Sequence, residues 1–195
     1  MENLKEMLEK GRFVELGQRI EKLEQEIKEL KQRVKSLRRD KRHNEANEIE
    51  KKVKELENEL EEIKKFINEA FEVFKEKAEQ FLDLSPEEQL KMAFILAAKT
   101  TVIEGMRTTQ IRKILNMSNG IFRGIKTRRL KDISPDIAKM RYILAYTASR
   151  HKNQIMPILE VSDKILPKLT VENYEVFHEF LQAIVAYHKF LGGRD

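Results

Sequence analysis

The residues best suited to chemistry lie between residues 135 and 152, where one helical face combines cations with aromatic rings. At 100° per residue, the face opposite the apolar one holds Lys139, Tyr142, Tyr146 and Arg150. Cations contact phosphates and tyrosine rings offer a stacking surface to any base, which is how proteins hold single-stranded nucleic acid. The alternative is that this face packs on another helix, with its tyrosine hydroxyls hydrogen-bonded.

A second group of basic residues lies on the preceding helix and in the connector after it. On one flank of a helix predicted over residues 108–125 lie Arg112, Asn116 and Arg123. The positive patch continues into the connector at Arg128, Arg129 and Lys131. Arginine binds phosphate as a planar fork, whereas lysine acts as a point charge. Exposed connector arginines also occur without a binding role, so both interpretations stay open.

The same stretch permits a helix-turn-helix interpretation. A helix over 109–115 would precede a turn at residues 116–118, and residues 119–129 would read the DNA major groove. The usual turn glycine is absent, and Gly120 and Gly124 would weaken the reading helix. Recognition of double-stranded DNA is therefore the less favoured alternative.

The sequence matches no catalytic or metal-binding pattern. It has no cysteine, and its four histidines show no metal-ligand spacing. It also lacks a glycine-rich phosphate loop, a nucleophile elbow and paired catalytic carboxylates. His188 falls on the apolar face of the last helix, where we expect a buried, hydrogen-bonded histidine. These observations predict a protein that is not an enzyme and needs no metal or cofactor.

The net charge of +5 is unevenly distributed along the 195 residues. Residues 1–84 carry 20 basic and 22 acidic side chains, whereas residues 107–152 carry 12 basic side chains and only two acidic ones, Asp132 and Asp136. A balanced stretch indicates a solvated helix surface, and a one-sided stretch indicates an acidic partner. Nucleic acid is the favoured partner, and an acidic protein is the alternative.

The first 84 residues are predicted to form a coiled-coil arm. Apolar residues follow a heptad spacing from Leu16 to Leu37 and again, out of phase, from Ala46 to Phe74. A polar break at 38–47 separates two stretches of matched length. This pattern favours an antiparallel helical hairpin over one long helix that pairs with a second chain.

Residues 85–195 are predicted to form a helical bundle, so the fold class is all-α. Ser85, Pro86 and Glu88 form a capping box that starts a helix over 86–103. The remaining predicted elements are the helix over 108–125, a helix capped by Ser134-Pro135-Asp136 and running to about Lys152, a short apolar piece from Ile155 to Leu166, and a helix from a Thr170 cap to Leu191.

Neither a membrane segment nor a secretory signal is evident in the sequence. No apolar run approaches the roughly 20 residues that a membrane helix needs. The first residues, MENLKEMLEKGRF, lack the apolar region of a signal peptide. We therefore expect a cytoplasmic protein.

Three blocks of the sequence resemble the small helical subunit of the type III-A CRISPR (Csm) interference complex. They are TTQIRKIL (108–115), KMRYILAYTASR (139–150) and QAIVAYHKFLGG (182–193), in the family's order and spacing over roughly residues 86–193. The last block is the most specific. The chain departs from the family at Ser149, where glycine commonly precedes the arginine, and in its longer N-terminal arm.

The resemblance implies a non-catalytic subunit of an antiviral ribonucleoprotein, stacked in several copies beside the subunits that hold the guide RNA. It implies contact with the backbones of guide and target RNA, and association with other Csm subunits and with copies of itself. By block position it implies RNA contacts at Arg112, Lys113, Lys139, Arg141 and Arg150. With the charge pattern, the candidate RNA-binding residues are Arg112, Lys113, Arg123, Arg128, Arg129, Lys139, Arg141, Tyr146, Arg150 and Lys152. The alternatives are a coiled-coil protein adaptor and a helix-turn-helix DNA-binding protein.

Overall fold

The computed structural model describes residues 4–193, and all regular secondary structure in that range is helical, which confirms the predicted all-α class. Short 3-10 segments follow α3 and α7, and a π-helical turn follows α4. None of the helices in this range is long and apolar enough to span a membrane. The α-helices are α1 (Leu4–Glu9), α2 (Phe13–Arg39), α3 (His43–Lys77), α4 (Pro86–Ala98), α5 (Thr108–Lys126), α6 (Ser134–Arg150), α7 (Lys152–Ile165) and α8 (Tyr174–Phe190).

The described chain divides into two compact units, one up to residue 66 and one from residue 67. Helix α3 is continuous through this division. The boundary that the sequence predicts between residues 84 and 85 stays a prediction.

The first unit contains the predicted antiparallel hairpin, formed by α2 and the first part of α3. Its turn contains no glycine. Lys41 takes the left-handed conformation there, with φ of 59°. The Arg42 N–H donates to the Leu37 carbonyl and the Lys41 N–H to the Arg38 carbonyl, which is the Schellman pattern that usually carries glycine at this position. The hairpin prediction is confirmed, with a lysine where sequence rules expect glycine.

The two predicted heptad seams form the apolar interior of this hairpin. At the outer end, Val34 and Leu37 of α2 pack with Ala46 and Ile49 of α3. Most other seam positions are buried as well: Leu16, Ile20, Leu23 and Ile27 on α2, and Val53, Leu60 and Ile63 on α3. The seams therefore pair within one chain, which is the hairpin arrangement and not that of one long helix joined to a second chain.

The second unit is a bundle built around α4 and α8. Residues 92–98 of α4 are all buried, so this helix is apolar around its whole circumference and lies at the centre. The Ser85 hydroxyl accepts from the Glu88 N–H at 3.3 Å, and the Glu88 carboxylate accepts from the Ser85 N–H at 3.2 Å. The predicted capping box is confirmed, and its backbone hydrogen bond lowers the pKa of Glu88.

Two local predictions in the bundle are wrong. Helix α8 begins at Tyr174, because the Asn173 carboxamide oxygen accepts from the Thr170 N–H and forms a turn there, so Thr170 is not a cap. At α6 the Asp132 carboxylate accepts from the N–H and hydroxyl of Ser134, so the turn before the helix is fixed by Asp132. The predicted helix over 86–103 is confirmed in extent, because α4 ends at Ala98 and the chain continues as a π-helical turn to Ile103.

Candidate nucleic-acid interface

Helices α5 and α6 run antiparallel, with a groove between them. Gly120 of α5 lines a cavity of about 150 Å³ together with Asp136 and Lys139 of α6, so one carboxylate lies in the groove beside its lysine. At the other end, the side-chain amide of Gln110 donates to Gln154 at 2.9 Å, just beyond the end of α6. A Cβ on Gly120 would meet no heavy atom within 4 Å, so the groove is open at that glycine.

Three exposed cations border this groove, and we call them the groove cations: Lys113, Lys139 and Arg150. Lys113 precedes Gly120 by seven residues and therefore lies on the same side of α5. Lys139 lines the cavity directly. Arg150 follows Lys139 by three turns on the same face of α6, about 16 Å farther along the axis. The groove cations therefore extend along most of the groove.

The outer face of α6 is the cationic and aromatic face that the sequence predicts. Tyr142 and Tyr146 are each 62% exposed, whereas Ile137, Met140, Leu144 and Ala148 on the opposite face are buried. The Arg150 guanidinium lies over the Tyr146 ring, 5.9 Å from its centroid, which is cation–π geometry. The alternative in which this face packs on another helix is wrong for the described chain.

The outward flank of α5 carries Arg112 and Arg123, both exposed beside the groove. The helix then ends with a second left-handed cation, Arg128, at φ of 54°. The Arg129 N–H donates to the Gly124 carbonyl and the Arg128 N–H to the Ile125 carbonyl, a Schellman pattern again. The side chains of Arg128 and Arg129 are exposed at the end of the helix where Lys126 also lies.

The helix-turn-helix interpretation is wrong, because α5 is one continuous helix from Thr108 to Lys126. The predicted turn falls at Ser118, which is fully buried and hydrogen-bonded to α8. Gly124 is tolerated inside the helix because the Leu130 side chain packs against it, 2.6 Å from where a Cβ would stand. No separate reading helix exists in residues 119–129.

Two of the cations on α5 and α6 are paired with carboxylates. Arg141, a predicted RNA contact, donates from Nε to Asp163 of α7 at 2.8 Å. It lines a cavity with Ala145 and Asp163, on the side of α6 opposite Arg150. Lys126 contacts Glu175 of α8 at 2.9 Å. Lys152 is exposed at the start of α7. The structure thus places Arg141 away from the groove cations.

A buried polar network fixes α5 against α8, and sequence reasoning missed it. Gln182 donates to His178 Nε2, so the proton lies on Nδ1, which is 2.9 Å from the Ser118 hydroxyl. The Tyr174 hydroxyl also donates to Ser118, at 3.0 Å. Burial raises the pKa of Tyr174 to about 12 and lowers the pKa of His178. Phe122 stacks on the His178 ring at 4.3 Å.

The C-terminal block (182–193) forms hydrogen bonds with the residues at the start of α5. His188 is fully buried and donates from Nε2 to the Met106 carbonyl at 3.0 Å, which confirms the predicted buried histidine. Burial lowers its pKa, so it is held neutral. The Thr108 hydroxyl donates to the Gly193 carbonyl at 3.2 Å. A Cβ on Gly193 would stand 2.1 Å from the His188 ring, so the close approach requires glycine.

Comparison with known proteins places these features in a family. The profile described as Csm2 Type III-A matches residues 83–194. A relative from Streptococcus thermophilus, named CRISPR system Cms protein Csm2, is 29% identical over 133 residues, which cover 64% of this chain and 95% of that protein. The profile match includes the groove, the polar network and the C-terminal block, and the whole hairpin lies outside it.

Proposed function

This chain belongs to the Csm2 type III-A family, and on that premise we propose that it binds RNA backbone as a subunit of the type III-A CRISPR effector complex. The groove cations and the outer face of α6 are the proposed contact surface. Arg112, Arg123, Arg128, Arg129 and Lys152 extend it on either side. Csm2 proteins are generally non-catalytic small subunits, so we assign RNA cleavage to other members of the complex.

The observation that carries this proposal is that several exposed cations have no carboxylate partner. The number of cations alone would not carry it. Lys113, Lys139 and Arg150 are exposed, and none of them forms an ion pair with a carboxylate within residues 4–193. Lys126 and Arg141, by contrast, each have a carboxylate partner in the chain. Phosphate is the commonest anion to which proteins present unpaired arginine and lysine along an open groove. We therefore keep Arg141 outside the proposed surface.

The proposed binding is independent of RNA sequence. Cations that contact phosphates position a nucleic acid without reading its bases. Tyrosine rings stack on any base, since every base has a flat face. Sequence recognition in an RNA-guided complex is supplied by pairing between guide and target. The subunit would therefore hold RNA of any sequence in the complex.

Binding of full-length protein to single-stranded poly(U) across a salt series tests this function. Loss of two phosphate contacts in Lys139→Gln/Arg150→Gln should flatten the slope of log affinity against log salt by about 1.4 and lower affinity roughly tenfold at 0.1 M salt. Lys126→Gln/Arg141→Gln is the matched control, because it removes one lysine and one arginine that are already ion-paired.

The outcomes separate the proposed function from its alternatives. Wild-type protein without affinity for poly(U) at low salt would overturn the proposal and favour the protein adaptor. Equal losses in the two double variants would show that net charge alone matters. Tighter binding to duplex DNA than to poly(U) would overturn the RNA assignment.

We also propose association with other Csm subunits and with further copies of this chain, in the cytoplasm. Leu90 and Phe190 are large apolar side chains exposed on α4 and α8, the helices at the centre of the bundle. Large apolar and aromatic side chains are the anchors on which contacts between subunits are built. Sedimentation of Leu90→Ser/Phe190→Ser should show a smaller species than wild type at matched concentration, and equal masses would overturn this assignment.

A further inference from the structure

The outer part of the hairpin carries a strong positive charge that the balance of the whole arm conceals. Residues 28–54 contain 11 basic and five acidic side chains, whereas residues 55–84 contain four basic and ten acidic ones. Residues 30–39 contain five basic side chains and no acidic one. The outer part therefore has a net charge of +6, from 11 minus 5, and differs sharply from the acidic stretch that follows it.

Four ion pairs between α2 and α3 define two flanks of the hairpin. On one flank, which we call flank A, Lys31 contacts Glu57 at 2.6 Å and Arg38 contacts Glu50 at 2.7 Å. On the other, flank B, the pairs are Arg19 with Glu59 at 2.6 Å and Lys52 with Glu26 at 2.7 Å. Every acidic residue named on flank A is thus neutralised by a cation of the facing helix.

Flank A continues outward into a row of exposed cations without carboxylate partners. Lys28, Lys35 and Arg39 lie at successive intervals of seven and four residues on α2, and therefore on one face. Lys54 lies beside them on α3. None of the four forms an ion pair within the described chain. We call Lys28, Lys35, Arg39 and Lys54 the hairpin basic face.

Three of the five acidic residues of the outer hairpin lie on the opposite flank. At 100° per residue, flank B carries Glu29, Glu45 and Glu48. Some of these have local cations, as Arg42 contacts Glu45 at 2.5 Å. The other two acidic residues are Glu50, which is ion-paired on flank A, and Asp40, at the end of α2. The positive charge of residues 28–54 is therefore concentrated on one face of the hairpin, instead of being spread around it.

We propose that the hairpin basic face is a second RNA-binding site, which contacts the phosphate backbone and is separate from the groove of the bundle. It rests on the proposed function in taking RNA as its ligand, and it assigns binding to a part of the chain that lies outside the Csm2 profile match. The cations are spaced by about 10 Å and 6 Å along α2, since each residue advances the helix by about 1.5 Å. Such a row suits a ligand with charges repeated along its length.

The polar character of the face favours a nucleic acid over an acidic protein. Large apolar side chains are exposed elsewhere in the described chain, but none lies within residues 28–54. The residues interleaved with the cations are Gln32, Ser36, Asn47 and Asn58. Protein interfaces are built on aromatic and apolar anchors and are depleted in lysine, whereas nucleic-acid interfaces are polar and positive, with amide and hydroxyl side chains among the phosphate contacts.

Two matched double variants of the full-length protein test the proposal. Lys35→Gln/Arg39→Gln removes one lysine and one arginine from the hairpin basic face. Lys22→Gln/Arg33→Gln removes one lysine and one arginine from flank B of the same helix, so net charge and helix propensity change equally. With poly(U) as the probe, the first variant should lose roughly tenfold in affinity at 0.1 M salt and flatten the salt slope by about 1.4. The second should remain close to wild type.

The groove variant Lys139→Gln/Arg150→Gln, measured beside them, separates this proposal from the proposed function. If only the groove variant weakens binding, the hairpin site is overturned and the function stands. If only Lys35→Gln/Arg39→Gln weakens binding, the hairpin site stands and the groove assignment is overturned. Equal losses in the two hairpin variants would overturn the hairpin site, because the effect would be one of net charge. Wild-type protein that does not bind poly(U) at low salt would overturn both.

Discussion

The bundle and the hairpin each present a basic surface, but they reach it by different routes. In residues 107–152 the acidic residues are nearly absent, with two against 12 cations. In residues 28–54 five acidic residues are present. Three of them lie on flank B, Glu50 is ion-paired with the facing helix, and Asp40 lies at the end of α2. The first surface is visible in composition. The second emerges only when the flanks of the hairpin are assigned, because residues 1–84 together have a net charge of −2.

The comparison also shows that counting cations overestimates how many side chains are available to bind an anion. Arg141 and Arg150 lie on the same helix, yet Arg141 is held by Asp163 and Arg150 has an aromatic ring beneath it. An exposed ion pair adds only about 0–1 kcal/mol to stability. It nevertheless occupies the guanidinium with an anion that an incoming phosphate would have to displace. The cations without partners are therefore the ones that an incoming phosphate can contact without displacing a carboxylate.

Truncation of the core beneath the α6 surface should reduce the stability of the protein more than any change on that surface. Leu144 is fully buried under the face that carries the tyrosines, and Leu144→Ala should lower the free energy of unfolding by about 3 kcal/mol because it leaves a cavity. Tyr146→Ala, on the exposed face of the same helix, should change it by no more than about 0.5 kcal/mol. Urea unfolding measures both, and similar losses would contradict the assignment of the two faces.

Lowering the pH should destabilise the bundle more than the hairpin, because buried histidines occur only in the bundle among the described residues. Burial lowers the folded-state pKa values of His178 and His188 below the ordinary 6.5. The unfolded chain then binds more protons below about pH 6.5, so stability is complete above that pH and falls as pH decreases. The hairpin contains only His43, which is exposed.

Hydrogen exchange at pH 7.5 and pH 5.5, corrected for intrinsic rates, measures this difference. Protection of α5 and α8 should decrease at the lower pH, while protection of α2 should stay unchanged. His43→Gln should leave this pattern as it is. An equal decrease in both regions would contradict the assignment of the acid sensitivity to the two buried histidines.

A substitution at one glycine of α5 should slightly increase the stability of the protein. Gly120 lies inside α5, and a Cβ there would meet no heavy atom within 4 Å. Gly120→Ala should therefore raise the free energy of unfolding by roughly 0.5–1 kcal/mol, through helix propensity. Gly124→Ala should not, because its Cβ would stand 2.6 Å from Leu130. Thermal unfolding compares the two, and a loss at Gly120 would contradict the open groove.

Local patterns in the sequence predicted much of the fold. The heptad seams, the capping box at Ser85 and the apolar face of α6 depend on residues a few positions apart, so periodicity reveals them. The turn at Lys41 and the helix end at Arg128 were harder, because both put a cation where glycine is usual. The helix predicted over 108–125 matches α5, but the helix-turn-helix alternative stayed open because Ser118 looks like a turn residue until its partners on α8 are known.

Some residues of the proposed sites could be predicted from local spacing, and others depend on contacts between helices. The sequence indicated Lys139, Tyr146 and Arg150 from spacing alone, since all three lie on one helix. Helical spacing did not put Arg141 on that face, and only the family resemblance implied it as an RNA contact. Its Asp163 partner could not be foreseen, because it comes from α7, 22 residues later. The sequence also did not predict the hairpin basic face, since this face depends on which sides of α2 and α3 pack against each other.

If a cation binds RNA only while it lacks a partner in the chain, a carboxylate placed beside Arg150 should weaken RNA binding. Tyr146→Glu introduces an acid four residues before Arg150, the spacing that forms an ion pair on a helix, and removes no cation. Tyr146→Gln removes the same ring without adding a charge. We predict that Tyr146→Glu binds poly(U) roughly tenfold more weakly than Tyr146→Gln at 0.1 M salt, with a slope flatter by about 0.7. Equal affinities and slopes for the two variants would contradict the account.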